Sequence, residues 1–201
     1  MYTLVFDANV PWDLDTINAL NETMNLMNNI NFKIYMSDIN FNEMPVRVRT
    51  KLNNPQCVII DETNTDEYDE FRKDIHRKDI MLDKKDSAVL FTSNKFNTEY
   101  IISSDTNVRR MTKKYADIYG KRITPFHLID MFSFLRGINL IEPYSCIKMS
   151  LELYKKKEIP YMVERHGAEL VSDEIKRNRW IKNETPTSVG CGTKLLNNPQ
   201  I

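Results

Sequence analysis

Tyr2-Thr3-Leu4-Val5-Phe6-Asp7 sets the reading of the chain that follows. Five β-prone, mostly apolar residues end abruptly in an acid, which predicts a short buried strand. Phe32 to Met36, Cys57 to Ile60 and Tyr100-Ile101-Ile102-Ser103 repeat the pattern, and Arg122-Ile123-Thr124 predicts a short fifth strand. Strands that are apolar throughout, rather than alternating, are covered on both faces, as in parallel sheets packed between helices. The intervening segments read as helices. Pro11 and Asp13 break the chain, and Asp15 then caps a helix with apolar Ile17, Leu20, Met24 and Met27 at a 3–4 spacing. Ile39 to Leu52 is helical, with Pro45 in its first turn or bending it. Thr65 or Asp66 caps a charged helix to about His76; Leu82 to Lys95 and Thr106 to Tyr119 follow. Pro125, at a first helical position, opens Phe126 to Leu135.

Strands alternating with helices predict an α/β fold: a central parallel sheet of four to five short strands with helices on both faces. Such sheets bind ligands beyond the carboxyl ends of their strands, so the residues just after each strand are the ones to inspect. After Ile141-Glu142-Pro143 the pattern changes. Met149 to Lys157 and Tyr161 to Lys182 read as helices of a C-terminal extension over 142–182, and 183–201, rich in Asn, Thr, Pro and Gly, reads as a loosely ordered tail.

The 201 residues suit one domain, or one domain with an appendage. Lys and Arg total 28 and so do Asp and Glu, so overall charge gives no vote for a nucleic-acid partner, and any such vote must come from local patches. Cys57, Cys146 and Cys191 are odd in number and widely spaced, which suggests neither a disulfide framework nor a zinc site. No signal peptide opens the chain, and no apolar run approaches the roughly 18 residues of a membrane span. The expectation is a soluble, cytoplasmic protein without a membrane partner.

The residues with chemistry to offer are acids. Asp7 ends the first strand, Glu43 follows the second, Asp86 opens the helix before the fourth, and Ser103-Ser104-Asp105 ends the fourth. If the first and fourth strands are neighbours, Asp7 and Asp105 point into one crevice, and Asp86 can face it from a helix start. Each acid alone has an ordinary explanation. Asp7 and Asp105 could be turn or cap residues, Glu43 a solvated helix residue, and Asp86 a carboxylate favoured by a helix N-terminus. Together, without basic partners, they would repel unless a cation neutralised them, and hard oxygen ligands select Mg²⁺ or Mn²⁺. A cation held this way polarises phosphate oxygens and acidifies water, the requirements of phosphodiester hydrolysis.

The order Leu4-Val5-Phe6-Asp7-Ala8-Asn9, then Tyr35-Met36-Ser37 leading to Glu43-Met44, then Asp83-Lys84-Lys85-Asp86-Ser87-Ala88, then Ile101-Ile102-Ser103-Ser104-Asp105 resembles the PIN-domain nucleases. Ile123-Thr124-Pro125-Phe126 is similar to the way many PIN domains close, and the resemblance covers roughly residues 1 to 136. It implies a PIN-like nuclease domain over 1–141 and a Mg²⁺- or Mn²⁺-dependent endoribonuclease cutting single-stranded RNA. Asp7, Glu43, Asp86 and Asp105 would be catalytic metal ligands. Ser103 would orient Asp105 or a water, Asn9 would sit behind the ligands or touch substrate, and Asp83 could take the place of Asp86. It also implies a toxin or an RNA-processing or degradation factor, with a protein antitoxin or regulator and a homodimer among the partners. The sixty or so residues past the resemblance exceed the compact toxin pattern.

Other features point less sharply. Arg109, Arg110, Lys113 and Lys114 could present a basic face to a phosphate backbone, or simply be solvated; Arg47, Arg49 and Lys51 are comparable. Trp180 among Lys176, Arg177, Arg179 and Lys182 could stack a base or pack on the main domain. His76, His127 and His166 lack metal-ligand spacing, and His127 reads as a core residue. Competing readings are a DNA or flap nuclease of related fold, a catalytically silent binding module, and a receiver or phosphatase domain. The last two want, respectively, an acidic pair near the first strand and an Asp-x-Asp, whereas the chain has Asp7-Ala8-Asn9, with Asp61 ending the third strand.

Overall fold

A computed structural model describes residues 2–29, 32–52, 58–63 and 65–156. The order is β1 (Tyr2–Phe6), α1 (Asn9–Thr16), α2 (Leu20–Asn29), β2 (Phe32–Ser37), α3 (Asp38–Glu43), α4 (Val46–Leu52), β3 (Val58–Asp61), α5 (Asp66–Arg77), α6 (Lys84–Lys95), β4 (Tyr100–Ile102), α7 (Thr106–Tyr119), β5 (Thr124–Phe126), α8 (Leu128–Gly137) and α9 (Pro143–Lys156). The five strands form one sheet in the order β3-β2-β1-β4-β5, and every pairing is parallel. The chain therefore winds outward from β1 in one direction through β2 and β3, then returns to the centre and winds the other way through β4 and β5. That reversal leaves a crevice between the carboxyl ends of β1 and β4. Phe6 is level with Ile102, and Val5 with Tyr35, so Asp7 emerges beside both Ser103 and Ser37.

Period-two alternation divides the core. Leu4, Phe6, Ile34, Met36 and Ile102 face one side, where Val10, Leu14, Leu20, Met24 and Met27 of α1 and α2, Val48 of α4 and Phe132 of α8 pack on them. Val5, Tyr35 and Ile101 face the other, under Ile75 of α5, Val89 and Leu90 of α6 and Val108 and Tyr115 of α7. Helix α6 is buried at every position from Ser87 to Ser93, so only its two ends meet solvent. Helix α9 packs on α8 and α1, and its Cys146 and Leu153 join the first core. Burial pushes the Cys146 thiol up to about 11, which leaves it protonated and unreactive. No helix among the described residues is long and apolar enough to cross a membrane.

Several boundaries differ from the sequence expectation. Pro11 does not break the chain: it sits in the first turn of α1, where a missing N–H costs nothing, and Asp13 and Asp15 lie inside that helix. The break comes at Asn18, whose φ of 58° is left-handed, a conformation Asn tolerates, so the single helix expected from Asp15 onward is two. Pro45 splits the expected Ile39–Leu52 helix into α3 and α4. The fifth strand is Thr124–Phe126 rather than Arg122–Thr124. Pro125 lies inside it, which an edge strand with one neighbour accommodates, and α8 starts at Leu128 instead of at Pro125. The last helix starts at Pro143, ahead of the expected Met149. Cys57, Cys191, His166, Trp180 and the helix expected over 161–182 lie outside the described residues.

Candidate active site

The site begins with the two central strands. The Asp7 backbone N–H continues the ladder to Ile102 O at 3.0 Å, which seats its side chain at the crevice, 5 % exposed. Asp7 Oδ2 accepts from Ser103 Oγ at 2.6 Å and from Asn9 Nδ2 at 2.6 Å. Desolvation of this carboxylate outweighs those hydrogen bonds and raises its pKa above the ordinary value, with the charge of Asp105 adding to the effect.

Asn9 ties α1 to the β4 turn. Its Nδ2 also lies 3.4 Å from Ser103 Oγ, and its Oδ1 accepts the Ser104 N–H at 2.9 Å. One helical turn on, the buried Asp13 accepts from Ser104 Oγ at 2.6 Å through Oδ2. Ser103 is fully buried, and its hydroxyl oxygen also accepts the Asp105 N–H at 3.0 Å. The Ser103-Ser104-Asp105 turn is thus fixed at every residue.

Asp105 is the N-cap of α7: its Oδ1 accepts from the N–H groups of Asn107 at 2.6 Å and Val108 at 3.1 Å. Both bonds land on one oxygen, so capping and a further role for the carboxylate are compatible. Asp83 is the N-cap of α6, accepting from Lys85 and Asp86 N–H, each at 2.8 Å. The two acids the sequence left interchangeable thus differ in local role, although both Asp83 bonds also fall on one oxygen. Asp83 holds the helix end, and Asp86, in the first turn, faces the crevice. Burial, then the negative charges of Asp83, Asp7, Asp105 and Glu43 in that order, push Asp86 up to about 7. The other three candidate acids therefore all act on Asp86, from the ends of β1 and α3 and the turn after β4.

Glu43 is the exposed last residue of α3, a helix started by the Ser37 cap and packed on α6, where Asn40 Nδ2 reaches Lys85 O at 3.4 Å. Its Oε1 accepts from Lys85 Nζ at 2.5 Å. Among the described residues no group of three or more His, Cys, Asp or Glu is set to hold a metal ion. The coupling at Asp86 and this absence describe different ranges: charges act through several ångströms, whereas a Mg²⁺–oxygen bond is about 2.0–2.1 Å. The donor chemistry suits a hard divalent cation, since all four groups are carboxylates. A cation using the Glu43 carboxylate would share it with the ammonium held on Oε1.

The basic residues divide. Arg109 is half-buried, with Nη1 donating to Ser103 O at 2.9 Å, so it braces the turn from behind. Arg110 bonds Asn107 Oδ1 at 2.9 Å on the exposed face that Lys113 shares, and Lys114 Nζ reaches Asp79 O at 2.8 Å. Arg47 and Lys51, for which the sequence left a phosphate-facing and a solvated role open, pair with the buried Asp15 at 3.1 and 2.5 Å, and Arg49 bonds Asn42. Asp61 accepts from Thr92 and Lys95 at an edge strand, away from the crevice. His127 caps α8 in a capping box with Asp130, and burial pushes it down to about 3.

Sequence reasoning missed Asp13, Ser104 and Lys85. Asp13 stands four residues after Asn9, the spacing of one helix face, but taking Pro11 as a breaker hid it. No protein-family model, curated protein or solved structure matches the chain.

Proposed function

We propose that the chain is a metal-dependent nuclease of the PIN type, hydrolysing phosphodiester bonds of single-stranded RNA. The observation that carries this reading is the placement of Asp7, Glu43, Asp86 and Asp105 around the carboxyl ends of β1 and β4, and the upward push on Asp86 from burial and then from its acidic neighbours agrees with it. A protein has little to gain from gathering like charges around a buried carboxylate such as Asp7 unless a cation joins them. Asp7, Asp86 and Asp105 would hold Mg²⁺ or Mn²⁺, with Glu43 joining from α3. When bound, the cation supplies Lewis acidity for a phosphate oxygen and a water acidic enough to attack phosphorus near neutral pH.

The chain's own residues do the rest. Ser103 and Asn9 fix Asp7 in one rotamer, and Asp13 locks the Ser104 turn that aims Asp105. In the cation-free site burial and then its acidic neighbours push Asp86 up to about 7, and a bound cation would favour its charged form. Arg110 and Lys113, exposed on α7 beyond Asp105, supply positive charge for a backbone. An antitoxin or regulatory partner and a homodimer belong to the same proposal.

The test is cleavage of a labelled single-stranded RNA with Mn²⁺, Mg²⁺ or EDTA, wild type beside Asp105→Asn. Asn retains an N-cap oxygen, so the variant keeps its fold. Cation-dependent cutting, lost by 100-fold or more in roughly the manner of a removed charge-stabilising group, is expected. A folded wild type that cuts neither RNA nor DNA and binds no cation sinks the reading.

A further inference from the structure

Lys85 is exposed at the rim of the acidic site, where its ion-pair partner among the described acids is Glu43. Its Nζ is 2.5 Å from Glu43 Oε1, on side chains that keep 52 % and 34 % of their exposure. Lys85 is anchored at the backbone: its N–H is held by Asp83 and its carbonyl faces Asn40 Nδ2. Asn40 belongs to the same helix as Glu43, so α3 and the α6 start are tied together with the ammonium on Glu43 and within the field of Asp83 and Asp86. Its neighbour Lys84 uses its carbonyl to accept from Tyr68, and no ion pair joins its side chain to another described residue.

We propose that Lys85 is a resident cation of the site: it occupies Glu43 in the cation-free protein and is displaced when a divalent ion binds. The inference rests on the nuclease reading and adds a competition within it. A divalent ion drawing on the Glu43 carboxylate would set a second positive charge against the ammonium held 2.5 Å from its Oε1, so binding works against that pair. In exchange, a monovalent charge holds the carboxylates in place until the divalent ion arrives. Displacement frees the ammonium at the edge of the crevice, where a phosphate of the substrate can receive it.

Mn²⁺ affinity of the full chain, measured calorimetrically for wild type, Lys85→Met, Lys84→Met, Glu43→Gln and the Glu43→Gln/Lys85→Met pair, tests this. Lys85→Met should bind Mn²⁺ roughly two- to fivefold tighter, the range an exposed ion pair supports. Lys84→Met, with the same charge change one residue away, should bind as wild type. In the Glu43→Gln background the Lys85 effect should vanish, because the pair is already broken. Equal tightening by Lys84→Met, or a Lys85 effect that survives Glu43→Gln, overturns the proposal in favour of a general field. Should Lys85→Met not fold, the Lys85 side-chain carbon resonances of wild type replace it: they should move on Mg²⁺ addition with the binding midpoint, and no movement overturns the proposal. Wild type that binds no Mn²⁺ fails the nuclease reading itself, whereas wild type that binds with Lys85→Met no tighter fails only this inference.

Discussion

Ser103 shows how one hydroxyl can serve three partners. It donates to Asp7, accepts from the Asp105 N–H and lies against Asn9, all while fully buried. Ser103→Ala leaves the buried Asp7 carboxylate short of a donor, so a loss of about 1–3 kcal/mol in denaturant-derived stability is expected, together with reduced cleavage. Unchanged urea midpoints would contradict that account. Asp86 carries a pH signature. Its folded pKa of about 7 exceeds the ordinary 3.8, so between those values the folded state binds more protons than the unfolded one. Its contribution is therefore fully present below about pH 4 and is lost as pH rises through about 7. Cation-free Asp86→Asn should match wild type near pH 4 and exceed it at pH 8 in urea midpoint; equality at pH 8 counts against the repulsion. His127, pushed down to about 3, has the opposite slope between about pH 3 and 6.5 but is common to both proteins and cancels. At this scale Asp7 and Asp105 were legible because each follows a strand. Asp13 and Lys85 were not, because their roles depend on what the neighbouring helix brings opposite them.

Elements set those positions through their ends. Asp83 caps a helix whose middle is wholly buried, so its two N–H bonds hold the first turn, and with it Asp86, at the crevice. Asp83→Ala should cost about 1 kcal/mol and lower cation affinity, while Asp83→Asn should restore most of the stability. Thermal melts of the two variants distinguish capping from a metal-ligand role, since only the cap is rescued by Asn. The strands were readable because an apolar run buried on both faces has few alternatives once helical spacing surrounds it. Boundaries at Pro11, Pro45 and Pro125 were not, for one reason: proline is compatible with a first helical turn, a helix break and an edge strand, and only the tertiary neighbours decide which. Asn18 likewise gives no local sign that its left-handed backbone ends α1.

At the scale of the molecule the crevice is a product of strand order. No single segment contains it; β1, α3, α6 and the turn after β4 each supply one carboxylate. A divalent ion bound there links four elements, and so should stabilise the whole fold by mass action, by roughly 2.7 kcal/mol at a hundredfold excess over the dissociation constant. Mn²⁺ at pH 8 should raise the melting temperature of wild type and not of Asp105→Asn; a shift shared by both would place the ion elsewhere. The same strand order has a consequence in time. Asp7 and the Ser103 that fixes it are 96 residues apart, and β4 pairs with β1 across the whole of the chain that forms β2 and β3. A ribosome adding roughly 5–20 residues per second needs about 5–20 seconds to span that gap. Until Asp105 has been made the growing chain lacks one of the four carboxylates, so under the proposed function the first half of synthesis passes before a complete site can form.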